Sequence, residues 1–120
     1  MSVISWFEIP VRDMDRAARF YERVLGTTLK REIFNGTPNA LFTRGAPGET
    51  GGALIADPKI APGTGSLVYL SAPDLDAAVA RVPDAGGRVA LPKTDIGAPG
   101  FIAIVVDTEG NRVGLHAPLP

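Results

Sequence analysis

Residues 6–26 read WFEIPVRDMDRAARFYERVLG. The first part alternates: Phe7, Ile9 and Val11 point to one side of an extended chain, and Trp6 and Glu8 to the other. Asp13 is placed as a helix N-cap, its carboxylate able to accept backbone N–H groups of the first turn. Beyond it Ala17, Phe20, Tyr21, Val24 and Leu25 form the stripe of a helix that packs on a sheet. Gly26 stands where a left-handed C-terminal residue belongs. The stretch therefore predicts a strand, a capped helix and a stop.

The same order returns when the sequence is laid over itself with an offset of 61 residues. Asp13 falls on Asp74, Asp15 on Asp76, Ala17 on Ala78, Gly26 on Gly87 and, later, Leu54 on Leu115. Two copies of one supersecondary unit account for this agreement. In the first copy, further strands are expected near Thr28–Phe34, Asn39–Thr43 and Gly52–Ala56. The second opens with SLVYLSA, where Leu67 and Tyr69 face opposite to Val68 and Leu70. Its helix starts near Leu75 and should end or kink near Val82, because Pro83 would clash within a helix interior. Strands near Arg88–Leu91, Phe101–Val106 and Arg112–His116 complete it. DTEG (107–110) reads as a tight turn, with Gly110 and Asn111 suited to positive φ.

These elements define a single α+β domain of two βαβββ modules, 1–57 and 66–120, joined by a linker at 58–65. RGAPGETGG (44–52) and DIGAPG (95–100) are Gly/Pro-rich loops expected to rim a site; they match no phosphate-loop spacing.

Composition narrows the function classes. A chain of 120 residues with 45% hydrophobic content can build one ordinary core. Lys+Arg 12 against Asp+Glu 13 leaves a net charge of -1 and no basic stripe, so neither nucleic acid nor an anionic membrane is an expected partner. With no cysteine, disulfides, thiolate catalysis and thiolate metal sites are excluded. No segment approaches the ~18 apolar residues of a membrane span. MSVISWFEI lacks the basic region and cleavage site of a signal peptide, which makes the cytoplasm the expected location. No G-x-S-x-G or other nucleophile motif occurs.

The doubled strand–helix–three-strand order, with FYERVLG closing the first helix and DTEGNRVGLH near the end, resembles the vicinal oxygen chelate superfamily. This group includes glyoxalase I, extradiol dioxygenases and bleomycin-resistance proteins. Within it the chain looks closest to small bacterial proteins described as related to lactoylglutathione lyase. The resemblance implies a cupped mixed sheet whose concave face holds the site, often in a homodimer. The metal enzymes of the group place ligands on the first and last strands of each module. Carried over, those positions hold Trp6, Ala53, Leu67 and Gly114, none of which can bind a divalent cation. With a single histidine, a two-histidine site within one protomer is impossible. No metal and no other cofactor is therefore expected.

Period-2 geometry puts Trp6 and Glu8 on the cup face, about 6.6 Å apart along the strand. Leu67 with Tyr69, and Gly114 with His116, share that face by the same parity, and Ile55 adds an apolar wall. Glu8, desolvated against Trp6, could act as general base or acid; equally it could pair with Arg12 or Arg112, or accept backbone N–H bonds. His116 is either a proton partner to Glu8 or a histidine bonded to a backbone carbonyl or closing a dimer seam. Trp6 either stacks a planar ligand or plugs the vacated metal space. Tyr69 offers a hydroxyl or only area. The expected function is metal-independent binding of a small organic molecule, with lyase- or isomerase-like turnover by Glu8 and His116 left open. Sequestration without turnover and a metal-dependent lyase or dioxygenase are the alternatives.

Overall fold

Asp13 is where strand gives way to helix: its side chain accepts the Arg16 N–H at 3.0 Å. Asp74 does the same for the Ala77 N–H at 3.2 Å. The two aspartates matched by the repeat are thus the two N-caps. A computed structural model describes residues 6–42 and 49–120. The elements run β1 (Trp6–Pro10), α1 (Met14–Leu25), β2 (Lys30–Phe34), β3 (Thr37–Leu41) and β4 (Gly51–Ile55). They repeat as β5 (Val68–Ser71), α2 (Leu75–Arg81), β6 (Arg88–Asp95), β7 (Phe101–Val106) and β8 (Arg112–Ala117). Each half forms a four-stranded mixed sheet, ordered β1-β4-β3-β2 and β5-β8-β7-β6, with one parallel pair in each. The architecture is the tandem βαβββ fold.

Both helices end as their residues dictate. Gly26 closes α1 at φ 66, a left-handed conformation that glycine adopts without Cβ strain. α2 stops with Val82 as its C-cap, one residue before Pro83. The buried face of α1 comprises Met14, Ala17, Ala18, Phe20, Tyr21 and Val24. Tyr21 packs edge-on to Phe20 and to Phe42, with centroids 5.0 and 5.7 Å away. Ile9, Ala40 and Leu54 meet this helix from the first sheet, and Leu70, Val105, Val113 and Leu115 come from the second; one hydrophobic cluster includes both sets. Burying side chains of this size contributes about 1.5–3 kcal/mol each. The helices also lock at their C-terminal ends, where Arg81 donates to the Val24 carbonyl at 3.0 Å and Arg23 to the Asp84 carbonyl at 3.1 Å.

Three local expectations are revised. β3 begins at Thr37 rather than Asn39, because Asn35 and Gly36 both take positive φ and join β2 to β3 in a two-residue hairpin turn; Thr43, the expected end of that strand, lies outside the described residues, as do residues 44–48 of the first rim loop. β6 continues through Pro92 to Asp95. It is an edge strand with register shifts near Leu91, the setting in which a sheet tolerates proline. In the 107–111 turn, Gly110 has φ 86 but Asn111 is not left-handed. Asn111 acts through its side chain instead.

Candidate functional site

The parity of β1 holds. Ile9 and its β4 partner Leu54 belong to the core under α1, which leaves Glu8, paired with Ala53, on the opposite, open face with Trp6. There the Trp6 Nε1–H donates to Glu8 Oε2 at 3.3 Å, and both side chains are exposed. Neither Arg12 nor Arg112 pairs with Glu8 among the described residues. Ile55 is buried on this face, two residues from Ala53 along β4.

On the second sheet Tyr69 pairs with Gly114 and Ser71 with His116. The Tyr69 ring lies directly on Gly114: a Cβ built there would clash with Tyr69 Cδ1. The small residue at the end of the repeat thus makes a seat for the phenol. His116 Nε2–H donates to the Pro99 carbonyl at 2.7 Å, which ties β8 to the 95–100 loop. Leu67 precedes β5 and is 40% exposed.

Between the halves is a cavity of about 480 Å³. Glu8 and Pro10 of β1, Leu67 and Val68, Arg112 and Val113 of β8, and the linker residues Ile60 and Gly63–Ser66 form its walls. Of the seven site residues expected from sequence, only Glu8 and Leu67 reach it. Trp6, Ile55, Tyr69, Gly114 and His116 do not line it, so Glu8 and His116 do not face each other across one cavity.

A buried polar clip, not foreseen from sequence, holds the seam. Asp107, Glu109 and Asn111 are each at most 6% exposed, yet every one is saturated. Asp107 Oδ1 accepts the Glu109 and Asn111 N–H groups at 2.8 Å, and Oδ2 accepts the Tyr21 hydroxyl at 2.7 Å. Burial, reinforced by the Asp107 charge, pushes the Tyr21 phenol well above its ordinary range. Asn111 Nδ2–H donates to the Pro10 carbonyl, and its Oδ1 accepts the Gly63 N–H, both at 2.7 Å. Glu109 accepts the Arg12 and Asp13 N–H groups at 2.9 and 2.8 Å, the Thr108 hydroxyl, and both arms of the Arg16 guanidinium. Burial alone would raise this carboxyl; the Arg16 fork and the Asp13, Thr108 and Arg12 donors outweigh it and hold it at about 2. The available signal was the run of three polar residues at alternate positions (107, 109, 111) between two apolar strands.

The family model of the Glyoxalase/Bleomycin resistance protein/Dioxygenase superfamily matches residues 3–115. The chain belongs to this superfamily. A Didymella fabae "Glyoxylase-like domain-containing protein" is 32% identical over 114 residues, covering 90% of this chain and 88% of its own. A Mycobacterium tuberculosis protein described as a candidate glyoxylase, CFP32, is 29% identical over 114 residues, which is 92% of this chain and 44% of that protein. The chain therefore spans under half the length of that relative. Among solved structures, TnmS3, an antibiotic binding protein from Streptomyces sp. CB03234, superposes with a TM-score of 0.69 at 28% identity, covering 99% of this chain and 98% of the other.

Membership raises the question of whether the residues present fit the superfamily's metal. Trp6, Ala53, Leu67 and Gly114 carry no side-chain oxygen, sulfur or imidazole donor, and no group of three His, Cys, Asp or Glu converges among the described residues. The residues do not fit a divalent cation. Among the described residues, no helix is long and apolar enough to cross a membrane.

Proposed function

We propose that this superfamily member binds a small organic molecule in the cavity between its two modules without using a metal. The observation that carries the reading is the cavity itself. Its volume lies in the range of about 300–1,000 Å³ that small-molecule sites occupy, and its walls are mostly apolar with a few polar groups. The likeness to an antibiotic binding protein over nearly the full chain supports it. Binding without turnover is favoured over acid–base chemistry, because the His116 imidazole is committed to Pro99 away from the cavity that Glu8 lines. The proposal includes a cytoplasmic homodimer, for which Ile33 and Phe34, 76% and 70% exposed on the β2 edge, offer apolar surface.

A thermal-shift screen against metabolites and aromatic drugs tests the reading. Hits should raise the melting temperature and quench or shift the emission of Trp6, the only tryptophan, which contacts Glu8 at the cavity wall. Added Zn²⁺, Ni²⁺ or Mn²⁺ should leave the melting temperature unchanged. For any hit, Glu8→Gln should change affinity by threefold or more while His116→Ala leaves it within twofold. Equal effects of the two variants would move the site to the open face of the second sheet.

A further inference from the structure

The cavity has one charged group with nothing to bind. Arg112 lines its wall, and its guanidinium makes no ion pair or hydrogen bond among the described residues. Beside it runs the linker segment Gly63–Ser66. The Gly63 N–H is taken by Asn111 Oδ1, whereas those of Thr64, Gly65 and Ser66 have no partner among the described residues. Gly63 and Gly65 take φ of 84 and 107 on either side of Thr64, whose φ is not positive. Alternation of this kind is a feature of the backbone nests that accept anions.

A second charged residue, Glu8, also lines the cavity. Asn111, the neighbour of Arg112, holds the Pro10 carbonyl. Glu8 lies two residues back along β1, about 6.6 Å away by strand geometry. Its carboxylate is turned toward the Trp6 indole N–H. Ile60 and Leu67, both exposed, supply apolar wall.

We propose that the ligand is an amphiphilic organic anion. Its carboxylate or phosphate group is held by the Arg112 fork and the free linker N–H groups, and its apolar body lies on Ile60 and Leu67. A guanidinium matches two oxygens of either anion with parallel N–H bonds. This inference rests on the cavity reading above and adds the ligand's charge to it.

Calorimetric titration of the full chain with 1-naphthoate, 1-naphthyl phosphate and the neutral 1-naphthamide tests it. At least one anion should bind tenfold or more tightly than the amide, and the tighter of the two names the carboxylate or phosphate source. Arg112→Gln should shrink that gap below threefold, whereas Arg112→Lys, which keeps the charge but loses the fork, should retain part of it. An amide that binds as tightly as both anions, or a preference that survives Arg112→Gln, overturns the anionic ligand and leaves the cavity reading intact. Failure of all three probes to bind also overturns it, and the thermal-shift screen then decides the cavity reading separately.

Discussion

Glu109 survives burial only because its two oxygens meet five donors, and that dependence makes it titrate as a stability switch. A carboxyl held at about 2, below its ordinary 4.5, contributes stability above about pH 4.5 and loses it as pH falls toward 2. At face value the displacement is worth on the order of 3 kcal/mol. With Arg16 half exposed, about 2 kcal/mol is the size to expect. Denaturant titration should therefore show wild-type stability falling between pH 5 and pH 2. Glu109→Gln should lose about 2 kcal/mol at pH 7 and most of that slope, since an amide nitrogen must face either Arg16 or a backbone N–H. A flat wild-type profile would remove the charge from the account. The alternation that placed Trp6 and Glu8 on one face was legible because it is local. The partners of Glu109 were not, since Arg12 lies 97 residues away and no periodicity encodes a polar contact at that range.

At the scale of elements, the caps and stops were readable because each rests on one or two residues: Asp13, Asp74, Gly26 and Pro83. The β2–β3 hairpin was equally available in the Asn-Gly pair. The strand after it starts at Thr37, two residues before the expected Asn39. Gly36 isolates the cost of that turn. At φ 79 with nothing within 4 Å of a built Cβ, Gly36→Ala adds strain without a clash. It should destabilise the protein by about 1 kcal/mol in chemical denaturation, and a neutral result would show that the turn relaxes freely. β6 shows the opposite balance: it runs past its expected end at Leu91 and through Pro92, because an irregular edge has no hydrogen-bond ladder there for proline to break.

For the molecule as a whole, the two modules share one hydrophobic cluster and one polar clip, so they should unfold together. Asn111→Ala removes the partners of both the Pro10 carbonyl and the Gly63 N–H. It should lower the denaturation midpoint by the equivalent of about 2–3 kcal/mol while keeping a single transition. Two resolved transitions would mean that the halves are energetically separate. The cavity was the least legible feature, because its walls depend on how two correctly read units sit against each other. Sequence parity found Glu8 and Leu67, yet Arg112 and the Gly63–Ser66 wall follow from the clip, which brings the linker to β8. The backbone passes from one half to the other along the linker, while Glu109 and Asn111 bridge the same boundary without a covalent bond. A proteolytic nick after Thr64 would therefore leave two fragments still joined as one particle, with the linker wall of the cavity cut.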